Sequence, residues 1–376
     1  MERKVIGVFG VRNAGKSSLI NAITGQAVSI VSETAGTTTD PVRKSMEIPG
    51  LGAVVLIDTP GADDIGNLGK MRAERAFRVL DEVDAAILVT ASSEKLLDIE
   101  SLLVSEFNKR NIKYIIVCNK SDLHGNAKIG LSVSALSGDG VDELIKRLPE
   151  LTETKEKHIV KDFVNPGDTV VLVIPIDESA PKDRIILPQQ QVLRELLDAH
   201  CTSVCCRDTD LKSTLERLGK NPDLVITDSQ VFKRVDEVLD KNVPLTSFSI
   251  LFANYKGDTD FFKSGISALK RIKNGDRILI CEGCTHHRQC NDIGTVKIPN
   301  MIRKYTDASP EFEFTSGRDF PADLGGISLI VHCGACMLGS ADMKSRIKKA
   351  KNAGVPMINY GMLIAEVNGI LDRCLV

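Results

Sequence analysis

Residues 10–17 read Gly10-Val11-Arg12-Asn13-Ala14-Gly15-Lys16-Ser17, a Gly-x-x-x-x-Gly-Lys-Ser loop between an apolar strand and a helix. The backbone N–H groups of such a loop encircle a phosphate at a helix N-terminus, where the helix dipole favours anions. Gly10, Asn13, Ala14, Gly15, Lys16, Ser17 and Ser18 form this cradle. Lys16 reaches the β- and γ-phosphates, and the Ser17 hydroxyl is placed to coordinate Mg²⁺. Asp58-Thr59-Pro60-Gly61 follows at a strand end. There Asp58 holds the magnesium through a water, and Gly61 brings its N–H against the γ-phosphate with no side chain in the way.

The base is selected further along, by Asn119-Lys120-Ser121-Asp122. A carboxylate at Asp122 accepts two hydrogen bonds from guanine N1 and N2. Adenine lacks that donor pair and leaves the acid unpaired. Asn119 is expected to tie this segment to the phosphate loop, Lys120 to cover one face of the base, and the Ser134-Ala135 loop to donate an N–H to guanine O6. A phosphate loop alone is a modest signal. The ordered set specifies GTP.

A second constellation lies in the C-terminal half. Nine of the ten cysteines fall between Cys201 and Cys374. An apolar run ends in Cys281-Glu282-Gly283-Cys284-Thr285-His286-His287, and a later one ends in His332-Cys333-Gly334-Ala335-Cys336. Both groups follow the C-terminal ends of strands, the edge where open α/β sheets bind ligands. Cys333 and Cys336 make a bidentate thiolate clip, Cys284 supplies a third sulfur, and His286 or His332 a fourth ligand. Three thiolates and an imidazole suit tetrahedral Zn²⁺, whereas three thiolates alone suit a [4Fe–4S] cluster with one exchangeable iron. Spacing does not choose between these metals. Cys281, at the end of an apolar strand, reads as core, and Cys201, Cys205, Cys206 and Cys374 as small apolar residues.

The elements that must position these groups follow from the hydrophobic pattern. Short apolar runs at Val5–Phe9, Val54–Ile57, Ala85–Val89, Tyr114–Cys118 and Leu131–Ser134 alternate with amphipathic stretches, predicting a mostly parallel α/β sheet. A second alternating region is predicted from Thr169–Ile174, Ser203–Arg207, Leu224–Thr227 and Leu245–Leu251. A third comes from Asp276–Cys281, Phe312–Thr315, Ser328–His332 and Pro356–Asn359. Helices are expected over Gln189–His200, Val231–Leu239, Phe261–Ile272, Ala341–Ala353 and Met362–Leu371. The resulting class is α/β: a P-loop GTPase domain (1–160) followed by two smaller α/β domains (161–254 and 255–376).

Composition narrows the partners. In 376 residues, 48 basic and 50 acidic side chains nearly cancel, so no bulk attraction to nucleic acid or membrane is expected. Aromatic residues make up 4% and Trp is absent, which disfavours base-stacking platforms. No apolar stretch approaches the ~20 residues of a membrane span. The N-terminus enters a strand at once, leaving no room for a signal peptide. A cytoplasmic setting is expected, where so many cysteines point to metal or redox chemistry rather than disulfides.

The first 150 residues resemble Era-like GTPases, most closely the branch containing the tRNA-modifying GTPase MnmE. The shared features are Gly-x-x-Asn-x-Gly-Lys-Ser at 10–17 and Gly36-Thr37-Thr38. The resemblance implies that Asn13 is a K⁺ ligand, standing in for an arginine finger, and that Thr38 is a Mg²⁺ ligand. The catalytic set it implies is Lys16, Asn13, Thr38 and Gly61. Ala62 stands where Ras-like enzymes carry a catalytic Gln, so hydrolysis is expected to be slow and K⁺-stimulated.

Taken with the GTPase motifs, Cys284-Thr285-His286, then 45 residues, then His332-Cys333-Gly334-Ala335-Cys336 is similar to the HydF family of [FeFe]-hydrogenase maturation GTPases. The segment from His286-His287 through Asp292-Ile293-Gly294 to Val296-Lys297-Ile298-Pro299 is similar too. The resemblance spans essentially the whole chain. It implies a GTPase, a dimerisation and a cluster-binding domain, a homodimer, and a [4Fe–4S] cluster on Cys284, Cys333 and Cys336 with a labile fourth iron site. On that cluster it implies a scaffold carrying a di-iron precursor with CO and CN⁻ ligands. The radical-SAM maturases HydE and HydG supply that precursor, and apo-[FeFe]-hydrogenase receives it. The competing reading is an Era-like RNA-associated GTPase with a structural zinc site.

Overall fold

The computed structural model describes residues 3–26, 30–34, 42–61, 77, 79–125, 127–152, 157–176, 185–283 and 292–375. Thr38 and the rest of Gly36-Thr37-Thr38, Ala62, Cys284, Thr285, His286 and His287 lie outside the described residues. The chain divides into two compact units, Met1–Lys155 and Glu156–Val376.

The first unit is built on a seven-stranded sheet in the order β2-β3-β4-β1-β5-β6-β7. Its strands are β1 (Lys4–Phe9), β2 (Ile30–Thr34), β3 (Val42–Ile48), β4 (Gly52–Asp58), β5 (Ala85–Thr90), β6 (Lys113–Cys118) and β7 (Leu131–Ser132). All six residues of β5 are buried, as expected of a parallel strand covered on both faces. Alternation along β1 feeds two cores. Ile6 and Val8 point to one, with Leu19 and Leu144. Phe9 points to the other, where its ring meets Phe107 edge-on with centroids 5.3 Å apart. Strands β2 and β3 were not expected. They extend the sheet antiparallel beyond β4: β3 pairs with β4, with Arg43 opposite Ile57 and Met46 opposite Val54, and β2 pairs with β3.

The second unit holds two parallel four-stranded sheets. One runs β11-β10-β8-β9 and the other β13-β12-β14-β15. The first comprises β8 (Thr169–Val173), β9 (Thr202–Cys206), β10 (Leu224–Thr227) and β11 (Leu245–Ser247). The second comprises β12 (Arg277–Glu282), β13 (Glu311–Ser316), β14 (Ile327–His332) and β15 (Met357–Asn359). A single core joins the sheets: Val171, Val225 and Leu245 share it with Ile278, Leu329 and Met357. The alternate residues of β8, Val170 and Leu172, face a separate core with Val192 and Leu196. Ile159 and Val160 are buried in that second core, and the Glu195 carboxylate accepts hydrogen bonds from the Ile159 and Val160 amides. The expected division at 160/161 therefore falls beside residues that pack with the second unit. The one at 254/255 falls inside the helix Phe248–Lys256.

The strand expected over Leu245–Leu251 stops at Ser247. There the Ser247 hydroxyl accepts from the Ile250 amide and caps the helix Phe248–Lys256, so a serine turns an apolar run from strand into helix. The helix expected over Met362–Leu371 is two, Tyr360–Val367 and Leu371–Cys374, separated at Asn368-Gly369. The helix Ile298–Thr306 was not anticipated. Among the described residues, no helix is long and apolar enough to cross a membrane.

Candidate functional site

The nucleotide motifs converge at the C-terminal ends of β1, β4 and β6. The loop after β1 leads into the helix Lys16–Gln26. Lys16 is buried, and its ammonium lies over the loop, donating to the Val11 carbonyl at 2.9 Å and the Gly10 carbonyl at 3.2 Å. Asn13 is exposed and adopts the left-handed conformation (φ 61°) that Asn tolerates better than most residues. Ala14 is buried, while Ser17 and Ser18 are exposed.

Ser17 donates to Asp58 at 2.5 Å, so the two residues expected around Mg²⁺ are neighbours. Burial raises the Asp58 carboxyl above its ordinary range, opposed by the Ser17 hydrogen bond and by the Lys16 and Lys44 charges. Thr59 is fixed by its hydroxyl on the Val8 carbonyl at 2.7 Å, which sets the entry to Gly61.

Asn119 is the joint of this site. Its amide nitrogen donates to the Ala14 carbonyl at 3.0 Å, and its amide oxygen accepts from the Ala135 N–H at 3.0 Å. One buried side chain thus fixes the phosphate loop against the base-reading loop. Gly15 is obligatory beside it: φ is +93°, and a Cβ there would stand 2.1 Å from the Asn119 amide nitrogen. Ser134 donates to Asp122 at 2.6 Å and so orients the carboxylate, a role sequence reasoning did not assign to it. Lys120 takes a left-handed conformation, φ 65°, at the turn.

The thiol site lies at the C-terminal edge of the last sheet. Cys281 on β12 pairs in register with His332 on β14. Cys281 is fully buried, and burial pushes its thiol up to about 11, consistent with a core residue. Cys205, read as a small apolar residue, is exposed. Cys333 and Cys336 are both partly exposed. The Cys333 sulfur accepts from the Gly283 N–H at 3.0 Å and the Ala335 N–H at 3.4 Å. Two backbone donors on one sulfur favour its thiolate, the form that binds metal. Gly283, which supplies one of them, immediately precedes Cys284.

The Cys-Gly-Ala-Cys loop is held from below by a lysine that sequence reasoning missed. Lys256 ends the helix Phe248–Lys256 and is buried. Its ammonium donates to the carbonyls of Leu338 (2.7 Å), Ala335 (3.0 Å) and Cys336 (3.3 Å). Burial raises the Cys336 thiol, and the Lys256 charge opposes that rise. The only advance signal was a lysine closing a mostly apolar stretch. Replacing it with methionine should leave three carbonyls without this donor. At about 1.5 kcal/mol or more for each of these three charged hydrogen bonds, Lys256→Met is expected to cost roughly 4 to 5 kcal/mol, read as a lower denaturation midpoint.

His332, a candidate fourth ligand, has no free ring nitrogen. Arg346 donates to Nε2 at 3.0 Å, which leaves the proton on Nδ1 to be donated to the Cys333 carbonyl at 2.9 Å. Burial first, then the Arg346 charge, lowers its pKa to about 3, so the imidazole is neutral. In this geometry both ring nitrogens of His332 are engaged, one of them on the Cys333 carbonyl. Arg346 is itself fixed by the Gly317 carbonyl at 2.6 Å and lies 5.3 Å from the Phe320 ring centre. Among the described residues, no group of three His, Cys, Asp or Glu gathers around one point. Cys284 and His286 lie outside them.

Two neighbouring stretches of the chain match one family. The hydrogen maturase F dimerization domain matches residues 159–257, and the hydrogen maturase F tetramerization domain matches residues 260–376. This chain belongs to the hydrogen maturase F family.

The N-terminal part matches a 50S ribosome-binding GTPase family over residues 5–120, so the hydrogen maturase F domains follow a GTPase domain. Curated relatives match there as well. GTPase Der of Wolinella succinogenes is 31% identical over 181 residues, 43% of this chain and 38% of that protein. The tRNA modification GTPase MnmE of Neisseria gonorrhoeae is 35% identical over 152 residues, 38% of this chain and 33% of that protein. The chain thus spans little more than a third of the length of these relatives. Among solved structures, Aquifex aeolicus Era bound to GDP·AlF4⁻ is 20% identical with a TM-score of 0.33, covering 63% of this chain and 99% of that one. The G domain of the T. maritima iron transporter FeoB is 22% identical with a TM-score of 0.29, covering 40% of this chain and 99% of that one. The family names tetramerization, not cluster binding, for the segment that holds Cys333 and Cys336.

Proposed function

We propose that this chain is a GTP-hydrolysing maturation factor that carries metal cargo on its last sheet. GTP and Mg²⁺ bind at the first unit. Lys16 leaves its loop carbonyls for the β- and γ-phosphates, Ser17 and Thr38 ligate Mg²⁺, Asp58 holds it through water, and Asp122 reads guanine. Asn13 binds K⁺ beside the phosphates and makes hydrolysis K⁺-stimulated, with Gly61 against the γ-phosphate. The Asn119 bridge supports this reading, because a nucleotide held at both ends needs its phosphate and base loops fixed to each other.

A base-reading prediction follows. In Asp122→Asn an amide N–H replaces an acceptor opposite guanine N1 and N2. GTP affinity is expected to fall at least about tenfold, and xanthosine triphosphate, with an acceptor in place of the exocyclic amine, to gain on it. Equilibrium titration with both nucleotides checks this. An unchanged preference for guanine removes Asp122 from base recognition.

In the second unit Cys284, Cys333 and Cys336 hold a [4Fe–4S] cluster, with His286 and His332 as the imidazole candidates at the fourth iron. The single observation that carries this is the Cys333 sulfur at the open end of β14, taking two backbone N–H bonds, one from the residue preceding Cys284. Backbone N–H groups on thiolate sulfur suit an anionic iron–sulfur core. When bound, the cluster supplies an exchangeable iron on which a di-iron CO and CN⁻ precursor rides. The chain's own residues hold sulfur, charge and orientation around it. HydE and HydG load the cargo, apo-[FeFe]-hydrogenase takes it, and the chain works as a homodimer or larger assembly in the cytoplasm. Iron and sulfide analysis with electron paramagnetic resonance of the anaerobic protein tests this reading.

A further inference from the structure

Tyr360 follows β15 at the same sheet edge as Cys333, and its side chain is part of the buried core. Its hydroxyl is buried and has no hydrogen-bond partner among the described residues. Such groups are rare in folded proteins and call for a reason. The surroundings are polar. A Cβ on Gly294 would stand 2.7 Å from the Tyr360 hydroxyl and 2.4 Å from a Glu282 carboxylate oxygen. The backbone at 294 therefore packs directly on both oxygens, which a larger residue would displace. Glu282 ends β12 and Tyr360 follows β15, and β14, which leads into Cys333, runs between those strands.

Burial first, and then the neighbouring Cys333, Glu282 and Asp292, raise the pKa of the phenol well above its ordinary value. The buried O–H is a donor with nothing among the described residues to receive it.

We propose that the Tyr360 hydroxyl is the hydrogen-bond donor to an anionic acceptor atom held on iron beside Cys333. This rests on the cluster reading given above and adds to it a positioning residue outside the cysteine motif. Two acceptors share the required chemistry: an inorganic sulfide of the cluster, and the nitrogen of a cyanide bound to its iron.

Tyr360→Phe keeps the packed ring and removes the hydroxyl alone, so both measurements can be made on the full chain. In the iron-free protein the variant should melt no lower than the wild type, because the lost group had no partner. In the cluster-loaded protein two readouts separate the acceptors. A donor to sulfide stabilises the reduced, more negative core, so its loss lowers the midpoint potential with cyanide affinity unchanged. A donor to cyanide leaves the potential in place and weakens cyanide binding about tenfold in an electron paramagnetic resonance titration. Either outcome supports the assignment. Equal potential and equal cyanide affinity in the two proteins overturn it, as does a clear loss of stability in the iron-free variant, which reveals a partner within the protein. A wild-type chain that holds no iron at all defeats the cluster reading instead.

Discussion

Cys333→Ala is expected to leave the chain unable to hold iron while GTP turnover stays within about twofold of the wild type. The sulfur lost is the one receiving the Gly283 and Ala335 N–H groups. Two remaining thiolates do not close a [4Fe–4S] core, which takes at least three. Iron content per chain should drop to background after anaerobic reconstitution, and the brown colour with it. The GTP residues all belong to the first compact unit and Cys333 to the second, so the nucleotide chemistry has no need of this sulfur. If Cys333→Ala loses hydrolysis together with iron, the separation of roles between the units is wrong. Circular dichroism on the same sample guards against simple unfolding, which alanine at this partly exposed position should not cause.

The converse change carries the second large effect. Lys16→Ala removes the only ammonium in the Gly-Lys-Ser loop. That group now lies on the Val11 and Gly10 carbonyls, and GTP binding exchanges these neutral partners for phosphate oxygens. A charge-assisted hydrogen bond is worth about 1.5–3 kcal/mol, and Lys16 is expected to make two. The Kd for GTP should therefore rise about 100-fold or more, measured by calorimetry with Mg²⁺ present. Iron content after reconstitution should match the wild type. A variant that still binds GTP tightly would remove Lys16 from the phosphate site.

The legible parts of the fold were those in which a strand is buried on both faces. Ala85–Thr90 and Leu224–Thr227 are continuous apolar runs, and the structure buries every residue of each. The strand Val42–Ile48 was not visible, because Val-Arg-Lys-Ser-Met-Glu-Ile carries charges on a half-exposed antiparallel strand. Leu245–Leu251 reads as strand throughout. Only the Ser247 cap, a hydroxyl-to-amide bond, decides where helix begins.

In the sites, the motifs supply the chemistry but not the support. Asn119 was readable as a tie to the phosphate loop. That Ser134 would orient Asp122 was not, since a serine in a loop gives no directional signal. The Lys256 clamp joins residues 79 to 82 positions apart, and no local pattern encodes it. His332 sits in a metal-ligand motif by spacing. What spacing does not show is that Arg346 donates to its Nε2, the guanidinium reaching it from the helix Ser340–Asn352. The unpartnered Tyr360 hydroxyl was invisible for the same reason: a tyrosine after a strand is ordinary until its surroundings are known.

Electron paramagnetic resonance of the reduced, anaerobically reconstituted chain, read beside its metal and sulfide content, tests the central claim most directly. About four iron and four sulfide per chain with a cluster signal, lost in Cys333→Ala and retained in Lys16→Ala, is the predicted result. A colourless chain holding one zinc and giving no cluster signal would contradict it.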